Sequence, residues 1–429
     1  MQVLRCSSLQ GRQHCGSAGI QSHRGADSLS KALTPAEAEQ VIRSHITPLP
    51  AERRALRACV GRILRQNVEA ERDNPPFDRV CMDGVAVASA EFLGGRRQFR
   101  IQATQAAGAV PLQLAAPGMA IEIMTGAVLP PGTDCVIPLE EYDLVDGTLT
   151  LKPEAAADPW RNVQRRGSDS QPGVPMLTSG TRLGAAEIAV VASAGLAEIE
   201  VSRQPRVMVI STGDELIEPG QPIADHQVRR SNAYGVVAAL ETHGFASVHD
   251  EHLRDDEALM RNRLRELLDS HDVLVLSGGV SKGKFDFVPT TLKALGVEEV
   301  FYQVAQRPGR PMWFGAGPRG QLVFGLPGNP VSTLICLVRY VLPALRTAMS
   351  WQPPPLERVT IQESMNGRKM AYFMPVRRCP DAAVLASASI RPPSGSGDFL
   401  ALAGTDGFVE LPPAPEGYAA GFVADFYSW

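Results

Sequence analysis

The sequence predicts a multidomain α/β protein whose central domain is built on a parallel β-sheet. Its 429 residues exceed what one ordinary hydrophobic core covers. After Pro205, short apolar runs alternate regularly with helical patterns, which is typical of βαβ units. Three of these runs break into loops rich in glycine, proline or acidic residues, and ligands of parallel sheets bind at such strand ends.

Composition excludes several classes of protein. A hydrophobic content of 44% and a charged content of 21% are typical of globular domains, and a net charge of -4 argues against a general nucleic-acid binder. The seven cysteines are scattered without CxxC pairs, so we expect a cytoplasmic, reducing environment. The most apolar stretch, Val331 to Leu345, is too short for a bilayer of about 30 Å, so we expect a buried helix and no membrane contact.

The chain divides into regions by pattern. Residues 1–30 lack the apolar core of a secretory signal and are expected to be disordered. Thr34 and Pro35 can open the first helix, and a second amphipathic segment, Ala51 to Leu64, follows. The predicted domains are an N-terminal α+β domain (31–88 and 159–204), an inserted β domain (89–158), the α/β domain (205–354) and a small C-terminal β domain (355–429).

Three polar residues of the N-terminal half are candidates for function. Asp83 follows a proline-rich, extended approach and precedes a glycine, so it can equally be an Asp-Gly turn residue. Thr125 ends a short β-like run, where a strand-end hydroxyl is the simpler explanation. Asp169 follows two arginines in a segment that is otherwise typical of a solvated loop.

In the α/β domain, three strand ends predict a binding edge. The strand Val207 to Ile210 leads into Ser211, Thr212, Gly213, Asp214 and Glu215. The strand Asp272 to Ser277 leads into Gly278, Gly279, Val280 and Ser281. The strand Leu322 to Gly325 leads into Gly328, Asn329 and Pro330. Each loop alone can be a tight βα turn, but together their free N–H groups can cradle a phosphate.

The charges around this edge predict a metal. Glu215, Asp255 and Asp286 would repel a phosphate unless a divalent cation joins carboxylate and phosphate oxygens, so we expect Mg²⁺. Asp255 can alternatively be a helix N-cap. Arg307 and Arg310 lie in a stiff, proline-rich loop and would complement an anion. The residues therefore favour metal-assisted chemistry on a phosphate-bearing small molecule.

An NAD-binding oxidoreductase on the same class of sheet is the competing interpretation. It is disfavoured because Ser211-Thr212-Gly213-Asp214 follows the first strand, where a dinucleotide-binding glycine fingerprint would be expected.

Eight segments extend these observations over the whole chain. They are PPFDRVCMDGVAV from Pro75, IMTGAVLPPGTDCVI from Ile123, RRGSD from Arg165, STGDEL from Ser211, RDD from Arg254, SGGVSKGKFDF from Ser277, RPGRP from Arg307 and GLPGNPVS from Gly325. Through these motifs the chain resembles, from about Leu33 to its end, the molybdopterin molybdenumtransferase family, which includes the C-terminal domain of gephyrin.

This resemblance implies an elongated homodimer of four-domain subunits whose α/β domain binds molybdopterin. The implied reaction takes adenylylated molybdopterin, cleaves its phosphoanhydride with release of AMP, and inserts molybdate into the dithiolene to give molybdenum cofactor. The resemblance also implies contact with the molybdopterin adenylyltransferase and with molybdoenzyme acceptors.

The resemblance assigns roles to the candidate residues. It implies catalytic roles for Asp83, Thr125, Asp169, Glu215, Asp255 and Asp286, of which Glu215, Asp255 and Asp286 would hold the metal. It implies substrate binding by Thr212, Gly213, Asp214, Gly278, Gly279, Val280, Ser281, Arg307, Arg310, Gly328, Asn329 and Pro330. In such a dimer the active cleft would combine residues of both subunits.

Several positions depart from the family pattern. Arg79-Val80-Cys81 stands where Asn-Ser-Ala is usual, Ser168 where Glu is usual, and Arg230 where Asp is usual. Arg307, Arg310 and Gln303 replace lysines, whereas Lys282 and Lys284 add positive charge. Two alternatives therefore stay open, which are a catalytically weakened pterin-binding or scaffold protein and an enzyme that inserts tungstate.

Overall fold

The structure, a computed structural model, describes residues 32–279, 288–379 and 386–429. The expectation for residues 1–30 lies outside these ranges. Within them, three six-stranded sheets are present, together with helices that flank the central one. The predicted α/β multidomain architecture is confirmed.

Three helices belong to the N-terminal half. They are α1 (Pro35–Ser44), α2 (Ser89–Leu93) and α3 (Ala185–Ser193). Thr34 caps α1 as predicted, because its hydroxyl accepts the Glu37 N–H at 3.3 Å while the Glu37 carboxylate accepts the Thr34 N–H at 2.7 Å. This reciprocal capping box satisfies two N–H groups that the first helical turn leaves free.

The strands of the N-terminal half are short. They are β1 (Ala51–Ala55), β2 (Val68–Glu69), β3 (Arg79–Val80), β4 (Gly84–Val87), β5 (Gln98–Gln105), β6 (Met119–Ile123), β7 (Cys135–Pro138), β8 (Tyr142–Val145), β9 (Thr148–Leu151), β10 (Val163–Gln164), β11 (Pro175–Leu177) and β12 (Glu198–Ser202). The amphipathic segment that begins at Ala51 forms β1 and a 3₁₀ turn. It is extended because β1 pairs antiparallel with the distant β12.

The inserted sheet has the strand order β7-β4-β6-β5-β9-β8. Its interior contains Val85, Phe99, Ile137 and Leu149, each at most 1% exposed. Gly84 opens β4 against β7 so closely that a Cβ there would lie 2.0 Å from the Ile137 carbonyl oxygen. The sheet therefore holds the backbone immediately after Asp83.

The α/β domain contains most of the remaining elements. Its strands and the adjoining short ones are β13 (Val207–Thr212), β14 (Leu216–Ile217), β15 (Val228–Arg229), β16 (Val248–Leu253), β17 (Val273–Ser277), β18 (Glu298–Tyr302), β19 (Gln306–Arg307), β20 (Trp313–Ala316) and β21 (Leu322–Leu326). Its helices are α4 (Ser231–Thr242), α5 (Glu257–Ser270), α6 (Val288–Ala294), α7 (Pro330–Cys336) and α8 (Leu342–Ala348).

The central sheet has the order β16-β13-β17-β21-β20-β18, and β16, β13, β17 and β21 run parallel. β20 runs antiparallel to both of its neighbours, so the sheet is mixed on one side. Thr212 pairs with Leu253, and Ser277 pairs with both Ser211 and Leu326. The ends of these four strands therefore lie at one edge, as the sequence predicts.

A long apolar helix, Pro330–Ala348, lies under this sheet. It consists of α7, a π-helical turn (Leu337–Val341) and α8. Within the described ranges it alone is long and apolar enough to cross a membrane, but 78% of that stretch is buried inside the protein. This burial is typical of a core helix, which agrees with the prediction of a buried helix.

The C-terminal sheet is a small barrel. Its strands are β22 (Glu357–Ile361), β23 (Ala371–Cys379), β24 (Ser387–Ile390), β25 (Gly407–Leu411) and β26 (Val423–Ser428). The order β23-β24-β22-β26-β25 closes because β25 also pairs with β23, and β19 adds to the outside of β23. The α/β domain thus contributes an edge strand to the barrel next to Arg307.

A buried arginine joins three parts of the chain. Arg339, in the π-helical turn, donates to Glu39 of α1 at 2.6 Å and to Glu410 of β25 at 2.8 Å. Because a buried charge is costly without partners, these two carboxylates hold α1 and the barrel against the long helix.

Candidate functional site

A cavity of about 500 Å³ lies at the carboxyl edge of the central sheet. Six of the predicted site residues line it, namely Thr212, Glu215, Gly278, Gly328, Asn329 and Pro330. They come from the ends of β13, β17 and β21 and from the start of α7. The topology therefore brings together the three loops that are separate in the sequence.

Gly278 lines this cavity, and the adjacent Gly279 packs behind it without lining it. Gly278 and Gly279 have φ angles of +93° and +66°, which favour glycine. A Cβ on Gly279 would lie 2.4 Å from the Thr212 hydroxyl oxygen and 2.9 Å from a Val288 methyl group. The loop after β17 can therefore lie against the end of β13 only because it has no side chain at this point.

Two hydroxyl groups beside the glycines have no partner. Ser211 and Thr212 are 1% and 4% exposed, and within the described ranges their side-chain oxygens make no hydrogen bond. A buried polar atom without a partner costs free energy, and such atoms at a cavity are candidates for ligand contacts. Both hydroxyls can donate to an anionic ligand.

Asn232, which was not among the predicted site residues, connects the loops of the cavity. Its side-chain N–H2 donates to the Gly328 carbonyl at 2.7 Å and to the Ser277 hydroxyl at 3.0 Å. Asn232 is the last residue of the Arg230-Ser231-Asn232 segment, so the motif itself was the signal that could have identified it. Helix α4 begins at Ser231 without a side-chain cap.

Of the three acids predicted to hold a metal, the structure describes two. The Glu215 carboxylate faces the cavity and packs on Gly213, where a Cβ would lie 2.4 Å from Oε2. Asp255 is exposed just after β16, and the N-cap of α5 is its neighbour Asp256, which accepts the Leu259 N–H at 2.9 Å. The alternative role of Asp255 as a cap is therefore wrong.

Asp286, Val280 and Ser281 lie outside the described residues, as do Lys282 and Lys284. Within the described ranges no group of three histidine, cysteine or acidic side chains is arranged to hold a metal ion. The three-carboxylate metal site therefore stays a prediction. Gly213 and Asp214 lie in the same loop as Glu215 but do not line the cavity.

A second cavity of about 380 Å³ adjoins the first. Arg307 and Arg310 line it together with Ser394 and Ser396, which come from the C-terminal region. Asn329 lines both cavities, and its side-chain amide donates to the Ser396 hydroxyl at 2.7 Å. The two serines were not predicted, because no local pattern links that segment to the basic loop.

The N-terminal candidates form a separate cluster. Asp83 accepts hydrogen bonds from the Thr125 N–H at 2.6 Å and from the Thr125 hydroxyl at 2.8 Å. These two bonds lower the pKa of Asp83 below its ordinary value, and the bond from the Thr125 N–H has the larger effect. The two residues, 42 positions apart, meet because β4 and β6 are neighbours in the inserted sheet.

Asp169 lies on a ribbon that leads to the same cluster. Gln164 donates to both of its carboxylate oxygens, at 2.7 and 2.9 Å, and Ser168 donates to one of them at 3.1 Å. Arg79 donates to the Gln164 side-chain carbonyl, and β3 pairs with β10. Two departures from the family pattern, Arg79 and Ser168, thus belong to one hydrogen-bonded network with Asp169.

Two further departures lie in the α/β domain. Arg230 is buried and forms ion pairs with Glu218 at 2.8 Å and with Asp250 at 2.6 Å. It also lines the first cavity. Gln303 has a φ of +81° before the basic loop.

Within the described chain, neither cavity is lined by Asp83, Thr125 or Asp169. The candidate residues therefore fall into two groups, one on the inserted sheet and its ribbon and the other at the α/β edge.

Comparison with protein families covers nearly the whole chain. Residues 33–195 match the MoeA N-terminal region (domain I and II). Residues 208–347 match a probable molybdopterin binding domain, and residues 359–429 match the MoeA C-terminal region (domain IV).

Individual relatives agree with the domain matches. A molybdopterin molybdenumtransferase of Synechocystis is 37% identical over 92% of this chain and its own full length. One from Staphylococcus aureus is 30% identical over 91% of this chain and 94% of its own. The crystal structure of a molybdopterin biosynthesis MoeA protein from Pyrococcus horikoshii covers 93% of this chain and 99% of its own, with 27% identity and a TM-score of 0.74. The chain therefore belongs to the molybdopterin molybdenumtransferase family.

Proposed function

We propose that this chain inserts molybdenum into adenylylated molybdopterin, with release of AMP, at the carboxyl edge of its central sheet. Its curated relatives are named molybdopterin molybdenumtransferase, so the chain is a transferase of molybdenum cofactor biosynthesis. The observation that carries the finer proposal is the pair of adjoining cavities that share Asn329. One is built from glycine loops and hydroxyls, and the other contains two arginines.

In this proposal the first cavity binds the pterin nucleotide. Its volume of about 500 Å³ is in the range of small-molecule sites. The hydroxyls of Ser211 and Thr212, which have no hydrogen-bond partner among the described residues, would donate to phosphate oxygens, and Gly278 lets the ligand approach the backbone. Asn232 would hold the ends of β17 and β21 together, because it bonds to Ser277 and to Gly328.

The second cavity would bind the tetrahedral oxyanion. Arg307 and Arg310 are exposed and line it, and guanidinium groups donate to oxyanions in paired hydrogen bonds. The Ser396 hydroxyl, which accepts from Asn329, adds a neutral donor, whereas the Ser394 hydroxyl already donates to Asp398 at 2.9 Å. Because Asn329 borders both cavities, an oxyanion there would lie beside the substrate that receives it.

Mg²⁺ would bind at the nucleotide side of this site. Glu215 offers a hard carboxylate oxygen at the first cavity, and Asp255 follows the neighbouring strand β16. These donors fit Mg²⁺, with Asp286 as the third predicted ligand. When bound, the metal would neutralise charge on the phosphates as AMP leaves.

The residues of the chain would perform the remaining tasks. Water would attack the phosphoanhydride, so that AMP leaves and molybdopterin keeps its own phosphate. The oxyanion would form two bonds to the dithiolene sulfurs, while two of its oxygens leave as water with the two thiol protons and two protons from solvent. Arg307 and Arg310 would hold the oxyanion against charge repulsion from the phosphates. Asp83, with its lowered pKa, is a weak base, so contact with a cation or a polar donor suits it better than proton abstraction.

We further propose that the protein acts as a homodimer in which the Asp83 cluster of one subunit completes the cavities of the other. This arrangement would give the cluster a role in the reaction although, in the described chain, it lines neither cavity. A cytoplasmic location fits the free cysteines at positions 59, 81, 135, 336 and 379. The adenylyltransferase that supplies the substrate and the molybdoenzymes that receive the product are the proposed protein partners.

The testing experiment measures AMP release from adenylylated molybdopterin by the purified protein. Reactions with Mg²⁺ contain molybdate, tungstate or no oxyanion, and parallel reactions contain a chelator in place of Mg²⁺. Release that needs both Mg²⁺ and an oxyanion supports the proposal, and the more effective oxyanion identifies the metal inserted. Tight nucleotide binding without release under any condition would contradict it and favour a scaffold protein.

A further inference from the structure

Gln306, directly before Arg307, contacts the backbone that separates the two arginines of the basic loop. Its side chain is 0% exposed. The side-chain N–H2 donates to the carbonyl of Pro308 at 3.2 Å and to the carbonyl of Gly309 at 3.3 Å. Both amide hydrogens therefore have acceptors within the loop, and one side chain holds its tip.

Tyr340 holds the other end of the same amide. Its hydroxyl donates to the Gln306 side-chain carbonyl oxygen, and the tyrosine is 1% exposed. Burial raises the pKa of Tyr340 well above its ordinary value, so the hydroxyl stays a donor at all working pH values. With the carbonyl oxygen occupied, the N–H2 group has to face the loop.

The position of Tyr340 depends on an irregularity in the long helix. Tyr340 lies in the π-helical turn Leu337–Val341, where the Leu342 N–H bonds to the Leu337 carbonyl five residues earlier. Pro343 follows and has no N–H to donate, which weakens the regular α-helical pattern here. Such single π-helical turns often occur at functional sites.

The loop packs on Gln306 without free space. Gly309 has a φ of +90°, and a Cβ there would lie 2.7 Å from the Gln306 amide nitrogen and 2.6 Å from the Cys336 sulfur. Any change in the shape or polarity of the Gln306 side chain would therefore move the loop backbone.

The side chains of the two arginines have little other support, although the backbone of Arg307 also pairs with Tyr372 of β23. In the part of the chain that the structure describes, neither Arg307 nor Arg310 forms an ion pair, and both are exposed. The base of the loop is held by the backbone, since the Val304 N–H bonds to the Arg310 carbonyl at 3.0 Å. The tip between the arginines is held by Gln306.

We infer that Gln306 and Tyr340 are positioning residues for the oxyanion subsite, because the Tyr340–Gln306 hydrogen bond orients the amide that holds Arg307 and Arg310 toward the second cavity. This inference rests on the proposed function of that cavity. Gln306 borders the second cavity, but its side chain is buried and its polar atoms bond within the protein. Tyr340 acts through Gln306, and Gln306 acts through the loop.

The test measures two quantities for each variant. These are the oxyanion concentration that half-saturates AMP release and the dissociation constant of adenylylated molybdopterin. Gln306→Met keeps the approximate volume but removes all hydrogen bonds, and we expect it to raise the half-saturating oxyanion concentration roughly tenfold. Tyr340→Phe removes one hydroxyl and should raise it about threefold. The dissociation constant of the nucleotide should stay unchanged in both.

A double variant separates positioning from general damage. Because Tyr340 acts through Gln306, Tyr340→Phe should add nothing to the oxyanion effect of Gln306→Met. Tyr418→Phe is the matched control, since the hydroxyl of this buried tyrosine donates to the Pro412 carbonyl in the barrel. It should reduce stability without changing the oxyanion dependence.

The outcomes are distinguishable. If the unchanged protein releases no AMP in response to any oxyanion, the proposed function fails. If the unchanged protein does release AMP in response to an oxyanion, but Tyr340→Phe has the same oxyanion dependence, the positioning role is overturned while the proposed function stands. If a variant weakens oxyanion binding and nucleotide binding equally, the positioning role is also overturned, because the substitution then has a general structural effect. Should Gln306→Met not fold, Tyr340→Phe alone provides the same comparison.

Discussion

Asp83 and Thr125 are joined by two short hydrogen bonds, with the Asp83 carboxylate accepting the N–H and the hydroxyl of Thr125 at 2.6 and 2.8 Å. The contact joins the start of β4 to the end of β6. It holds a carboxylate in its charged form on a surface that lines neither cavity in the described chain.

Thr125→Val should raise the pKa of Asp83. The variant removes the hydroxyl donor but keeps the backbone N–H, which is the larger of the two causes of the lowered pKa. The carboxylate would then become protonated at a higher pH than in the unchanged protein. A carbon-13 NMR titration of the Asp83 carboxyl group measures this directly. Thr125→Ser retains the hydroxyl and should leave the pKa of Asp83 unchanged. An unchanged pKa in Thr125→Val would contradict a contribution of the Thr125 hydroxyl to the lowered value.

Mixing two inactive variants tests whether the site is shared between subunits. Asp83→Asn and Glu215→Gln should each abolish most AMP release as pure dimers. If one subunit supplies Asp83 and its partner supplies Glu215, a dimer of the two variants has one intact site. Random mixing in equal amounts should then restore about a quarter of the full activity. No recovery after verified subunit exchange would mean that each site uses residues of a single chain or that the cluster has another role.

Gly279→Ala should destabilise the protein and impair nucleotide binding. The new methyl group would meet Thr212 and Val288, in a backbone conformation that already disfavours alanine. We expect a loss of about 3 kcal/mol in the free energy of unfolding. Gly147→Ala is the matched control, because Gly147 has a φ of +75° but open space around it. It should cost about 1 kcal/mol. Equal losses in urea unfolding would show that the contact with Thr212 is unimportant.

Asp272→Asn should reveal a pH-dependent contribution to stability at the other end of β17. Burial raises the pKa of Asp272, but hydrogen bonds from Arg203 and Arg206 outweigh it and hold the pKa well below the ordinary 3.8. The carboxylate therefore stabilises the fold fully above that ordinary value, and the stabilisation is lost as pH falls toward the lower folded pKa. At pH 7 the variant should lose about 2 kcal/mol, and the difference should narrow in acid.

The control for this comparison is Asp269→Asn. Asp269 pairs with Arg319 at 2.5 Å, but both side chains are more than half exposed. An exposed pair contributes little, so we expect a change below about 0.5 kcal/mol. Comparable losses in the two variants would contradict the importance of burial at Asp272.

Much of the α/β site is predictable from the sequence. The strands that precede Thr212, Gly278 and Gly328 are apolar runs bounded by loops, and a parallel arrangement necessarily places their ends at one edge. The capping of α1 by Thr34 was likewise readable from neighbouring residues. The local sequence did not identify the cap of α5, because Asp256 and not the neighbouring Asp255 is its N-cap.

The remaining features depend on long-range contacts. Asn232 bonds to groups 45 and 96 positions away, and the Gln306 amide is oriented by Tyr340, 34 positions later. The start of the amphipathic segment Ala51 to Leu64 is a strand because the distant β12 pairs with it. A local sequence pattern contains no information about such partners, which become neighbours only when the chain folds.

The sequence by itself determined the fold class, the family and six of the residues that line the first cavity, because hydrophobic periodicity and glycine loops act over a few residues. Only the tertiary structure decided that Asn329 joins two cavities, that serines from the C-terminal region meet the basic loop, and that Asp83 pairs with Thr125. Those relationships are set by sheet order and domain packing, in which burial and hydrogen bonding select partners regardless of their separation along the chain.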